Sequence, residues 1–213
     1  QGPAVFHYRE IFTEDWNFTA RTKLSLYKQL PSPMGDTRIQ VVPSGPDIKT
    51  DALYEALLSA IFSAKHRIWI VTPYFVPDKS LMQALVIAHH RGVDIKLITP
   101  AKSNHLFADL GRSSYMRDLY NIGIEVCLLP TGMIHAKAIL FDEEGVMMGS
   151  ANIDQRSLFL NYEVVSFIYS KKSIAASEKW MRMLLEKCDG HMKPAGKLRK
   201  IGENLMNIFA PLL

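Results

Sequence analysis

The chain has little cysteine, with Cys127 and Cys188 the two among 213 residues. They lie far apart and neither sits in a CxxC or Cys/His ligand spacing, so no disulfide framework or zinc site is argued and both read as ordinary reduced thiols. Long apolar runs are missing as well. Ile68–Val76, Ile122–Leu129 and Val164–Ile168 are short and interrupted by polar residues, against the roughly 18 uncharged apolar residues of a spanning helix, so they read as strands. Charge is sparse, 22% of residues against 48% hydrophobic ones, which excludes a disordered chain and suits a globular one with a core of ordinary size. The opening Gln1-Gly2-Pro3-Ala4 has neither an initiator Met nor a basic stretch leading into an apolar signal core, so the chain reads as a processed product or an excerpt. The net charge of +4 and pI near 9.0 either attract phosphate-rich partners, lipid headgroups or nucleic acid, or make a plain solvated basic surface.

What is present is periodicity. Val5, Ile11, Phe12 and Trp16 predict one amphipathic helix over Pro3–Ala20. Pro31–Pro46, rich in Pro, Gly and Ser around Ile39–Val42, reads as a linker feeding a first strand, so residues 1–30 are expected to precede a main domain spanning 31–213. Thr50 or Asp51 is placed to cap a helix at Ala52–Lys65, followed by a buried strand at Arg67–Thr72. The step recurs as helix Ser80–Arg91 with strand Asp94–Thr99, then helix Leu106–Asn121 with strand Glu125–Leu129; Gly92 and Gly123 stop the helices. Three such units predict an α/β fold, with a mixed, largely parallel sheet sandwiched between helices. Closely spaced strands follow at Ala136–Phe141, Val146–Met148 and Glu163–Tyr169, with a tight turn at Asp142-Glu143-Glu144-Gly145. Helices are expected at Ser173–Lys187 and Lys197–Phe209.

His135 and Lys137 stand two apart on a predicted strand and so share a face, while Ala136, Ala138 and Leu140 point the other way into a core. Gly149-Ser150-Ala151-Asn152 follows, with a tight backbone and small hydrogen-bonding side chains that reach the same face if the strands form a hairpin. Such a set suits an oxyanion such as phosphate: Lys137 supplies a point charge, Asn152 and Ser150 neutral donors, and His135 a nucleophilic or acid/base nitrogen. The constellation asks for no metal and no cofactor.

The pattern His135-x-Lys137, Asp142, then Gly149-Ser150-x-Asn152 resembles the signature motif of the phospholipase D superfamily. The resemblance implies two such half-sites face to face, one His attacking phosphorus to form a phosphohistidine and the other protonating the leaving alcohol, with His135 in one of these roles. It implies that Lys137 and Asn152 stabilise the equatorial phosphate oxygens. Asp142, at a strand end, belongs to the motif either as a site residue or as a holder of the turn. Glu163 resembles the family's acidic residue that orients a catalytic His through Nδ1.

Arg67–Pro77, Gly92–Pro100 and Ser150–Val164 further resemble bacterial cardiolipin synthases, as does the ending Ile208–Leu213; Gly2–Val5 with Phe12 and Asp15-Trp16 resembles the helix closing the first catalytic repeat of those enzymes. The resemblance implies the second half of a two-motif membrane enzyme that joins two phosphatidylglycerol molecules into cardiolipin and glycerol. Its implied partners are anionic phospholipid at a membrane surface and a second half-site, from a missing repeat or a homodimer, and not nucleic acid. Tyr74, in Pro73–Pro77, either lines an acyl or headgroup pocket or belongs to a plain core and turn. Arg112 either contacts phosphate or is a solvated helix residue. Lys193, Lys197, Arg199 and Lys200 either sit on anionic lipid or are solvated. Two rival readings remain: a single-motif homodimeric nuclease or phosphodiesterase, expected to show a basic groove with stacking aromatics, and an inactive phosphate-binding module.

Overall fold

The computed structural model describes residues 2–24, 32–48, 50–103, 106–189 and, beyond them, 192, 196, 199, 202 and 203. Its first elements are α1 (Ala4–Ala20), β1 (Ile39–Ser44), α2 (Ala52–Ser63), β2 (Arg67–Val71) and β3 (Phe75–Val76). Next come α3 (Lys79–His90), β4 (Asp94–Pro100), α4 (Leu106–Asn121), β5 (Glu125–Leu129), β6 (Ala138–Phe141) and β7 (Gly145–Gly149). The series closes with β8 (Ile153–Asp154), α5 (Gln155–Phe159), β9 (Glu163–Ile168) and α6 (Lys171–Leu185). The helix expected at Lys197–Phe209 lies largely outside the described residues, as do Lys193, Lys197 and Lys200.

Alternation of side chains along the strands buries both faces of a seven-stranded sheet ordered β1-β9-β7-β6-β2-β4-β5. On one face Ile68, Ile70, Leu97 and Ile139 meet Leu53, Leu57 and Ile61 of α2 and Leu81, Leu85 and Ala88 of α3. On the other, Trp69, Val71, Ile98 and Leu140 meet Ile174 and Met181 of α6. The helix–sheet–helix sandwich and the mixed sheet are as the sequence predicts, but within the seven-stranded sheet parallel pairing is confined to β2–β4–β5, with β3 and β8 forming a separate parallel pair. The remaining neighbours are antiparallel, because the chain after β5 returns through the tight β6–β7 hairpin and because β1 lies along β9. Asp51 stands at the start of α2 but makes no capping bond with its side chain. The short β3, β8 and α5 escape periodicity altogether, being two to five residues long.

This topology gives the sheet two unlike edges. The C-terminal ends of β1, β2, β4, β5 and β7 and the N-terminal ends of β6 and β9 share one edge, as the pairs Val71↔Ala138, Gly149↔Val165 and Ser44↔Glu163 show. Asp142 marks the other. Its backbone is left-handed, at φ 49°, which Asp tolerates better than most residues. Its carboxylate accepts from the backbone N–H of Lys65, His66 and Arg67 at 2.7 to 2.8 Å. Burial raises its pKa, yet these three donors outweigh burial and hold the carboxyl below the usual range. Arg67 continues the fastening: its guanidinium donates twice to Glu178 of α6, at 2.7 and 2.8 Å, and stacks near Trp69.

Near the first edge, Gly149 lets two strands approach. A Cβ there would meet the Val164 carbonyl oxygen and stand 2.6 Å from Val165 Cα, both immovable backbone. Gly149→Ala is therefore expected to cost about 1–3 kcal/mol, read as a lowered denaturant midpoint. Asp142→Asn keeps the turn but loses one acceptor and the charge, an expected loss of about 2 kcal/mol or more. A depressed folded-state pKa means that this contribution is complete above the ordinary carboxylate pKa of about 3.9 and fades as pH falls below it. Denaturation midpoints of wild type and Asp142→Asn should therefore converge in acid; a constant gap from pH 7 to pH 2 contradicts the assignment.

Candidate active site

Beyond the N-terminal end of β6, Lys137 is 9% exposed whereas His135 lies open to solvent. The Lys137 ammonium donates to the His135 carbonyl at 2.9 Å and stands 3.1 Å from Nδ1 and 3.2 Å from Nε2 of the same imidazole. An ammonium bonded in the ring plane to one nitrogen would lie markedly farther from the other. The near-equal distances therefore place the charge against the ring without occupying either lone pair. Burial pushes the Lys137 pKa down, and the negative fields of Glu163 and Asp154 pull it back up.

The turn after β7 delivers the rest. Asn152 Nδ2 donates to Ser157 Oγ at 3.3 Å, while its buried Oδ1 has no partner among the described residues. Ser150 does not present a free hydroxyl: its Oγ accepts from the Val164 backbone N–H at 3.0 Å and ties the turn to β9. Glu163, the first residue of β9, accepts from Asn161 Nδ2 at 3.3 Å. The orienting contact expected between Glu163 and His135 Nδ1 is not made; Glu163 acts on the site through its charge on Lys137.

Two of the expected site residues, Asp142 and Arg112, are bonded into the fold. Asp142 lies at the far end of the strand from His135, about 20 Å or more away at ~3.3 Å per residue, with its carboxylate occupied by backbone donors, so it fastens the fold. Arg112 is neither solvated nor free for phosphate. At 1% exposure its guanidinium is bonded to Asp109, Thr99 Oγ1 and the carbonyls of Pro73 and Pro100, bracing α4 against the ends of β2 and β4. Burial lowers its pKa and Asp109 opposes that shift. Tyr74 is half-buried on the loop so braced, its phenol pKa raised by burial and by Asp109 and Asp154 against the opposing field of Arg112.

Asp154 is the site neighbour that the motif did not expose. It is 5% exposed, accepts from the Ser157 N–H at 2.6 Å as the cap of α5, and has its pKa raised by burial, with Glu163 adding to the shift and bonds from Ser157 and Asn152 opposing it. An Asp three residues before Ser157 at a helix start was the available signal. The hydrogen-bond chain Asn152–Ser157–Asp154 holds the amide in place. His191-Met192-Lys193 repeats the His-x-Lys spacing without the Asp and Gly-Ser-x-Asn that follow it at His135, and His191 and Lys193 lie outside the described residues.

At one sheet edge, then, an exposed imidazole, a buried ammonium, an amide and two carboxylates converge. No helix among the described residues is long and apolar enough to cross a membrane. Residues 57–185 match the family model described as "Cardiolipin synthase, PLD-like domain". The major cardiolipin synthase of Bacillus subtilis is 40% identical over 173 residues, 79% of this chain and 36% of that protein. Cardiolipin synthase 1 of Bacillus cereus is 31% identical over 231 aligned positions, covering 100% of this chain and 45% of its own length. The chain thus spans less than half the length of these curated relatives. Among solved structures, Nuc from Salmonella typhimurium, a phospholipase D family member, is 26% identical with a TM-score of 0.62, covering 74% of this chain and 100% of that one. Phosphatidylserine synthase of Haemophilus influenzae shares the fold at 14% identity and a TM-score of 0.64, over 95% of this chain and 51% of that chain. The chain belongs to the phospholipase D-like domain family of the cardiolipin synthases.

Proposed function

We propose that this chain supplies one of two half-sites for phosphatidyl transfer between two phosphatidylglycerol molecules, giving cardiolipin and glycerol. The observation that carries the reading is the buried Lys137 ammonium set against the exposed His135 ring, with Asn152 on the turn that follows β7. Family membership at 31–40% identity to cardiolipin synthases supports the choice of substrate. One imidazole attacks phosphorus to form a phosphohistidine, and a second protonates the departing glycerol oxygen and then takes the proton of the incoming alcohol. His135 provides one of these; the second comes from a preceding repeat or another copy. Lys137 and Asn152 stabilise the equatorial oxygens as charge builds. Burial favours loss of the Lys137 charge, and the fields of Glu163 and Asp154 oppose that loss. The seat of the reaction is the surface of a bacterial membrane, where anionic lipid is concentrated.

A homodimeric phosphodiesterase is the second reading, favoured by the match to the whole length of Nuc. Phosphatidylglycerol vesicles separate the two. The chain paired with a second half-site is expected to form cardiolipin and glycerol, and His135→Ala to lower the rate roughly 10³-fold or more. DNA cleavage by the chain alone, with lipid untouched, replaces the transfer reading by the second. Because burial depresses the Lys137 pKa, activity should fall on the alkaline side below the ordinary lysine value of about 10.4. Lys137→Ala should abolish that limb together with about 10²–10³-fold of the rate, measured as kcat against pH.

A further inference from the structure

Beside the half-site, α1, the end of β1 and the start of β9 enclose a cavity of about 290 Å³, close to the lower end of the ~300–1,000 Å³ range of ligand sites. Its lining includes Ser150 and Glu163, so it opens onto the motif. Four carboxylates, Glu14, Asp15, Asp47 and Glu163, line it together with Ile11, Pro43, Ile48 and Val164, and among the described residues no lysine or arginine does. The second feature is Ser44, which lines the same cavity. It is 8% exposed, and its buried Oγ has no hydrogen-bond partner among the described residues. A buried hydroxyl left unpaired is costly, and a ligand hydroxyl would satisfy it. The wall is built rather than incidental: the Tyr162 ring lies over Gly45, where an added Cβ would come within 2.7 Å of it.

The lining selects among occupants. A phosphate seated there would face four carboxylates and, among the described residues, no cation. The acidic residues are not gathered into a metal-binding group among the described residues. An ammonium would gain little from Glu14, Asp15 and Asp47, which are solvent-exposed and screened, and would pay more than a hydroxyl to leave water against Ile11, Pro43, Ile48 and Val164. A neutral polyol meets every demand, with hydroxyls donating to carboxylates, one pairing with Ser44, and a carbon skeleton against the apolar wall.

We infer that this cavity seats the hydroxyl-bearing head of the acceptor alcohol, a small polyol of the glycerol class; the acceptor role builds on the transfer reading above. In the second step an acceptor oxygen forms the new P–O bond as the P–N bond of the phosphohistidine breaks, and its proton passes to the imidazole of the other half-site. A seated polyol brings that hydroxyl to the motif in preference to water.

The test is amide NMR of the chain titrated with glycerol, with ethanolamine and propan-1-ol as matched probes, in wild type, Ser44→Ala and Asp47→Asn. Saturable shifts centred on Gly45, Asp47, Ser150 and Glu163 are expected, glycerol binding more tightly than either probe. Each substitution should weaken glycerol about threefold to tenfold while the spectrum stays native-like. Should Ser44→Ala unfold, Asp47→Asn on its exposed turn carries the measurement. Shifts that do not saturate, that survive both substitutions, or that are outdone by ethanolamine or propan-1-ol overturn the inference. The vesicle assay fails separately: saturable glycerol binding without phosphatidyl turnover keeps the polyol site and removes the transfer reading, and turnover without glycerol binding does the reverse.

Discussion

Lys137 carries an ammonium into a position that leaves it 9% exposed, and a lone charge so placed would cost several kcal/mol in desolvation. Its surroundings are the compensation. The His135 carbonyl accepts one of its protons, and Glu163 and Asp154 bear on it through their fields. Asp154 is itself buried, and that burial raises its pKa. What this set lacks is a close anion. No carboxylate bonds the ammonium directly among the described residues, and a phosphate oxygen arriving beside Lys137 would meet a charge that has already left water.

Bringing these groups together depends on the strands at their ends. Gly149 removes the side chain that would hold β7 away from β9, and Ser150 then stitches the turn to Val164 in both directions. Arg112 braces the loop carrying Tyr74 from beneath, and Thr72 joins that loop to Ile153. At the opposite edge Asp142 binds three backbone amides and Arg67 clasps α6. Polar side chains buried in this domain thus divide into those bonded into the fold, Asp142 at one edge of the sheet and Arg112 at the other, and those gathered at the candidate site, Lys137 and Asp154.

That division also explains what the sequence made legible. The closeness of His135 and Lys137 was readable because a spacing of two on an extended chain has direct geometric meaning. The helix–strand repeats were readable because their apolar stripes are long. Asp142 stayed open between two roles, and Arg112 was misplaced, because a carboxylate or guanidinium looks the same in sequence whether it faces a ligand or the backbone; only the tertiary partner decides. The share of parallel strands was overestimated for a related reason. Helix–strand steps announce parallel pairing locally, whereas the pairing of β1 with β9 joins segments more than a hundred residues apart and leaves no local trace. Asp154 was hidden inside an unremarkable helix cap, and Ser44 inside a strand end.

The asymmetry between His135 and Lys137 bears on why one motif asks for another. In-line displacement at phosphorus needs a group attacking on one side and a proton donor at the leaving oxygen on the other, so two imidazoles must stand on opposite sides of the phosphate. Within the described residues the His135 ring faces solvent while everything that supports it lies behind, toward the sheet. In the transfer proposed above, the open side is where phosphorus would enter and where the second imidazole would arrive. A buried ammonium behind an exposed ring suits that arrangement, because it can steady equatorial oxygens without blocking the line of attack.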